Sequence, residues 1–225
     1  MKTLFVTATG TGVGKTYVTA GLASALSQQG RSVRILKPII SGFDESKPDD
    51  SDTAVLLKSL GLSLTDETLE ACSPWRFADP LSPDMAARRE GRAIDFDTLV
   101  DFCRTAEAGD EDVLLIEGVG GAMVPLDDSH TVLDWIQALG APALVVAGSY
   151  LGTLSHTLTT VATLRERAID IAAVIVDESE ESPVPLEETL ATFKRFLAEV
   201  ETASISRGAE APAVLAALKT IVGKY

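Results

Sequence analysis

Residues 7–16 read TATGTGVGKT, directly after the apolar run Leu4–Val6 and at the start of a stretch with helical periodicity. Gly14, Lys15 and Thr16 fit the second half of the Walker A pattern G-x-x-x-x-G-K-[ST], while the position of its first glycine holds Thr9. Gly10, Gly12 and Gly14 let the backbone curl so that successive N–H groups point at phosphate oxygens, and a helix N-terminus adds its partial positive charge. Lys15 can then reach the β and γ phosphates, and the Thr16 hydroxyl can ligate Mg²⁺. GKT opening a helix after a buried strand is the context this motif requires, which leaves little to an ordinary glycine-rich turn. The dinucleotide pattern G-x-G-x-x-G fits poorly, because Gly14 follows Gly12 at the wrong spacing.

Outward from this loop, short aliphatic runs alternate with longer amphipathic ones, as in a parallel sheet covered by helices. The pattern predicts strands near 2–8, 32–37, 112–117, 142–147 and 170–176, with a weaker one near 202–206. Helices are predicted over 15–29, 51–60, 83–90, 95–108, 131–139, 153–168, 184–200 and 211–222, many stopped by a glycine suited to a C-cap. The fold class is therefore α/β: one domain over residues 1–225, a doubly wound and mainly parallel sheet of about seven strands, helices on both faces. Ligands of such sheets lie beyond the carboxyl ends of the strands.

Composition removes several function classes. A net charge of −14 argues against a broad nucleic-acid surface or an anionic-membrane anchor, since both need clustered Lys and Arg. Cys72 and Cys103 stand apart from each other and from any His, so reduced structural thiols and a cytoplasmic setting are expected. Leu4–Val6 is too short for the apolar segment of a signal peptide, and no run approaches the roughly 20 apolar residues of a bilayer span.

Strand ends supply the other candidates. Lys37 closes the second strand before Pro38, on the side of Lys15, with Ser41 and Gly42 close behind. Glu117 ends the strand near 115 as a Walker B carboxylate would, and glycines 118, 120 and 121 let the chain pass close to a ligand. Asp52 begins a helix, where it or Ser51 serves as a cap. His130 and His156 form no ligand pair or nucleophile triad, and 178–188 reads as a solvated acidic loop entering a helix.

The set VTATGTGVGKT, KPIISG, SDTAVLL, FADPLSPDMAARREG, LLIEGVGGAMVPL and GSYLGTLSHTLTT, in this order, resembles the dethiobiotin synthetase family over roughly residues 2–176. The resemblance implies a P-loop NTPase fold and an ATP- and Mg²⁺-dependent cyclo-ligase acting on 7,8-diaminopelargonic acid and CO₂ as a homodimer. It further implies Lys15 and Thr16 at phosphate and metal, Asp52 and Glu117 as further Mg²⁺ partners, and Lys37, Ser41 and Thr11 at the substrate carbamate. Lys37, Lys15 and Thr11 carry the catalytic expectation. Gly12, Val13, Gly14, Tyr17, Gly118, Val119, Gly120, Val176 and Asp177 would surround the nucleotide, and Ser82 and Pro83 the substrate. Gly152, Thr153 and Ser155 would receive the substrate's tail carboxylate across the dimer interface.

Three departures from the family pattern fall on one loop position and on the base end of the nucleotide. The family loop reads G-T-D-x-x-V-G-K-T, where this chain has Ala8 and Gly10; Val176 stands where the family has a base-reading Asn; and no G-x-[IL]-P turn is recognisable in ETASISRGAEAP. Loosened nucleoside preference is the expectation. Two rivals share such a sheet. An amidotransferase-type synthetase would need a glutaminase domain with a nucleophilic Cys, and a ParA- or MinD-like switch ATPase would carry an early P-loop lysine that TATGTG lacks.

Overall fold

A computed structural model describes residues 1–209 and 211–225. The first half of the chain runs β1 (Lys2–Ala8), α1 (Lys15–Gln28), β2 (Val33–Leu36), β3 (Ile39–Ser41), α2 (Asp52–Ser59), α3 (Asp66–Cys72), β4 (Trp75–Phe77), α4 (Pro83–Arg89) and α5 (Phe96–Glu107). It continues with β5 (Val113–Glu117), α6 (Val132–Leu139), β6 (Ala143–Ala147), α7 (Thr153–Glu166), β7 (Ile171–Asp177), α8 (Leu186–Phe196), β8 (Thr202–Ile205) and α9 (Ala211–Val222).

Six strands form one sheet in the order β2-β5-β1-β6-β7-β8, every pair parallel. This corrects the expected count of about seven, because two further short strands, β3 and β4, pair with each other apart from the main sheet. Pro38 is the reason for the break: without an N–H it ends β2, and the chain resumes as β3 in a new direction. Three-residue strands carry too little alternation for a period-2 signal. Helix α3 was not anticipated either, although a capping box closed by Thr65 and Thr68, with Asp66 and Glu67 in the first turn, announces it.

Both faces of the sheet are covered, and strand alternation sorts the core in two. Phe5, Leu114, Ile116, Val145, Val174 and Val176 face one layer, where Trp135 meets the Phe5 ring edge-on at 4.8 Å between centroids. Leu4, Val6, Leu115, Val146 and Ile175 face the other, against Val18 and Leu22 of α1 and Leu218 of α9. The chain reverses direction on the sheet at β1, between β5 and β6, and that switch point places the loop after β1 against the loop after β5. Among the described residues no helix is long and apolar enough to cross a membrane.

Candidate active site

Register builds the site before any side chain is considered. Val6 of β1 pairs with Glu117 of β5, and Leu36 of β2 pairs with Ile116, so the end of β5 lies between the loop opening at Thr9 and Lys37. Loop 9–14 then turns into α1 through Gly14, whose φ of 92° favours glycine. A Cβ there would also run into the Asp177 carboxylate. Glycine is thus required twice at one position, by backbone conformation and by a neighbour at the end of β7.

Glu117 is the centre of the arrangement. Its side chain is fully buried, and Oε1 accepts from the Thr16 hydroxyl at 2.8 Å and from the Lys37 ammonium at 2.8 Å. Lys37, itself 3% exposed, also donates to the Gly118 carbonyl at 2.7 Å and lies 3.6 Å from Asp52 Oδ2. Asp52 is free to face this group because Ser51 does the capping: its hydroxyl accepts from the Ala54 amide at 3.2 Å. Burial works against the charge on Lys37, but Glu117 and then Asp52 outweigh it and hold the ammonium above its ordinary value. Lys15, whose ammonium donates to the Gly10 carbonyl at 3.2 Å, goes the other way. Burial, and then the nearby Lys37 charge, pull it from 10.5 down to about 8, against Glu117 and Asp52.

A cleft of about 680 Å³ opens over these groups. It brings together Thr11, Gly12, Gly14, Lys15, Thr16, Tyr17, Lys37, Ser41, Asp52, Ser82, Pro83, Val119 and Gly120, all expected from the sequence. Ile39, Ile40, Pro80, Leu81 and Val124 complete its walls and were not anticipated; the first two arrive with β3. The hydroxyls of Thr9 and Ser41 and Glu117 Oε2 are buried without a hydrogen-bond partner. Such groups cost about 1–3 kcal/mol each unless a ligand completes them, so they mark where polar ligand atoms belong. Thr16, Asp52 and Glu117 offer only hard oxygen donors, and Glu117 Oε2 still has its lone pairs free, which suits Mg²⁺. No group of three or more His, Cys, Asp or Glu side chains stands together among the described residues, so a cation here would draw its remaining ligands from phosphate and water.

Other expected residues lie elsewhere. Val13 is buried at the back of the loop, and Gly118 contributes its carbonyl to Lys37. Val176 requires a correction: its side chain is fully buried in the layer opposite α1, so it cannot face a base. Alternation along β7 turns the next residue, Asp177, toward the P-loop instead, where burial raises its carboxyl to about 6 against the pull of Arg207. Thr153 is held locally. Its hydroxyl donates to the Gly148 carbonyl at 2.6 Å and its amide to the Tyr150 carbonyl, which shapes the entrance to α7. Gly152 and Ser155 are exposed beside it, outside the cleft of their own chain. The two histidines are tied locally, His130 to Asp127 and stacked on Phe96, His156 to the Tyr150 hydroxyl. Within the stretch searched for a late G-x-[IL]-P turn, Glu210 lies outside the described residues.

Comparison with known proteins gives the family. A family model described as "AAA domain" matches residues 2–209. The ATP-dependent dethiobiotin synthetase of Acidiphilium cryptum is 50% identical over 198 residues, 88% of this chain and 89% of that protein. The protein of the same name from Methylobacterium nodulans is 49% identical over 218 residues, 95% of this chain and 96% of its own length. Among solved structures, the MinD cell division protein of Aquifex aeolicus superposes with a TM-score of 0.61 over 100% of this chain and 98% of its own, at 14% identity. At that identity the likeness is one of fold alone. The near-half identity over almost the full length is decisive: the chain belongs to the ATP-dependent dethiobiotin synthetase family.

Proposed function

We propose that the chain acts, as one synthetase domain over residues 1–225, as an ATP- and Mg²⁺-dependent cyclo-ligase making dethiobiotin from 7,8-diaminopelargonic acid and CO₂. One observation carries the reading: a buried Lys37, a buried carboxylate at Glu117 and the P-loop pair Lys15–Thr16 converge beneath a cleft large enough for a triphosphate end and a small diamine.

The reaction asks the protein mostly to position reactants and neutralise charge. One substrate amine adds to CO₂, losing a proton, and a carbamate oxygen attacks the γ phosphorus while ADP leaves. The second amine then attacks the carbamoyl carbon, closes the ring and expels inorganic phosphate with the bridging oxygen. The loop amides after Gly12 and the Lys15 ammonium hold the β and γ phosphates. Lys37, Ser41 and Thr11, which line the same cleft, orient the carbamate oxygen and balance charge as it passes to the phosphoryl group. Thr16, Asp52 and Glu117 would hold Mg²⁺, which supplies charge neutralisation between the phosphates. No covalent nucleophile is needed; Cys103, the buried thiol deepest in the core, is pushed up to about 12 by burial and is inert.

We further infer a homodimer in which Gly152 and Ser155 of one protomer receive the substrate's tail carboxylate bound in the other. Leu151, 86% exposed, and Leu154 flank them and suit a subunit contact. The test is product analysis. Diamine, bicarbonate, Mg²⁺ and ATP should yield dethiobiotin and phosphate one to one; ATP hydrolysis that ignores the diamine and rises with a protein partner would sink the reading in favour of the switch ATPase.

A further inference from the structure

We propose that the Lys37 ammonium is the resident counter-cation of the Glu117–Asp52 pair in the nucleotide-free protein, and that it gives up its place on Glu117 when a divalent cation binds, swinging into the substrate cleft. The proposal rests on the metal-site reading above and goes a step further, because it assigns Lys37 two positions and makes one the condition for the other.

One carboxylate would have to serve both cations. Glu117 Oε1 lies in a side chain with no solvent exposure and already accepts two hydrogen bonds, from Thr16 and from Lys37. A cation that takes the Thr16 hydroxyl and the free Glu117 Oε2 as ligands shares one carboxylate with the ammonium that Lys37 holds 2.8 Å from Oε1. Two positive centres on one buried carboxylate repel each other more strongly than they would in water. Asp52, 3.6 Å from the same ammonium, belongs to the same charge balance. With the lysine alone, the buried carboxylate is paired and the fold keeps its charge neutral. With the cation present, the lysine is surplus.

Lys37 lines the cleft beside Ile39 and Ser41, and the Ser41 hydroxyl is buried there without a partner. In the proposal the side chain leaves Gly118 and brings the ammonium into this cleft, to the space assigned to the carbamate. Positive charge would therefore reach the reacting oxygen only once the metal is in place, which suppresses phosphoryl transfer to an incomplete site. Lys37 would be both a placeholder and, after displacement, a catalytic residue.

The experiment is Mn²⁺ binding followed by electron paramagnetic resonance on the purified protein, without and with a non-hydrolysable triphosphate, for the wild type, Lys37→Met and Lys37→Met/Glu117→Gln. Without nucleotide, Lys37→Met should bind Mn²⁺ at least 10-fold more tightly than the wild type, and the double variant should lose that gain. With nucleotide, the advantage should shrink. If Lys37→Met folds poorly, its refolding yield in Mn²⁺ against an equal ionic strength of choline gives the same reading: rescue by the metal supports the exchange. Equal or weaker Mn²⁺ binding by Lys37→Met, with normal Mn²⁺ binding in the nucleotide complex, overturns the exchange and leaves the metal site standing. Loss of Mn²⁺ binding in the wild-type nucleotide complex overturns both.

Discussion

Nucleotide binding should draw a proton from solvent, through Lys15. In the free protein burial and the neighbouring Lys37 ammonium hold Lys15 at about 8, whereas phosphate oxygens at the end of its side chain return it toward its ordinary 10.5. At pH 8 about half of the free molecules carry the neutral amine, so binding takes up about 0.5 proton; the figure is about 0.1 at pH 7 and about 0.9 at pH 9. The sign follows from the direction of the shift: a base whose charged form is favoured in the complex strengthens binding as pH falls through the free value. From pH 7 to pH 9 affinity should drop about 10-fold as the protonated fraction falls from about 0.9 to about 0.1. Isothermal titration calorimetry with a non-hydrolysable triphosphate, in pairs of buffers with different ionisation enthalpies, measures the uptake directly. Lys15→Arg keeps the charge at all these values and should abolish the uptake. Uptake below about 0.1 proton at both pH 8 and pH 9, or equal uptake in Lys15→Arg, would refute the reasoning.

Asp177, half-buried at the end of β7, is the clearest stability test: its folded value of about 6 lies above the unfolded 3.8, so it favours the protonated fold below pH 4 and turns unfavourable as pH rises through 6. Asp177→Asn should therefore raise stability at pH 7.5 by about 1 kcal/mol after discounting for solvent screening, or about 2–4 °C in Tm, and by nothing at pH 4; thermal melts at the two values decide. Gly14→Ala should cost at least 10-fold in triphosphate affinity, because a left-handed residue with a Cβ costs about 1–2 kcal/mol and its methyl meets the Asp177 carboxylate. Adding Asp177→Gly should restore part of that loss, and an unimpaired Gly14→Ala would contradict the steric account. Turnover with ATP, CTP and GTP should be comparable, since Val176 faces the core and offers the base no hydrogen bond; strict ATP dependence would show that another group reads it.

The sheet was legible because both of its faces are buried: β1, β5, β6 and β7 read as near-continuous apolar runs, and β5 and β7 end on Glu117 and Asp177. GKT after β1 and Glu117 after β5 needed no tertiary knowledge. Lys37 was legible as a strand end, but its ion pair with Glu117 was not, since that depends on β2 pairing with β5 rather than with β1. Asp52 could not be separated from a cap by sequence, because Ser51 and Asp52 are both good caps and only the backbone turn decides between them. The resemblance puts Val176 at the family's base-reading Asn, whereas β7 runs through Asp177 and alternation sends Val176 inward. The apolar cleft walls at Pro80 and Leu81 lie in a loop before α4 with no periodic signal at all.

The carbamate route is tested most directly by following oxygen. If a carbamate oxygen attacks the γ phosphorus and later leaves with it, CO₂ labelled with ¹⁸O on both atoms must deliver one labelled oxygen to each inorganic phosphate formed with dethiobiotin. Mass spectrometry of the phosphate, taken over the first turnovers before CO₂ exchanges with water, should find one ¹⁸O per phosphate. Unlabelled phosphate beside labelled product would mean that the γ phosphate goes to water or to another acceptor, and would contradict the central claim.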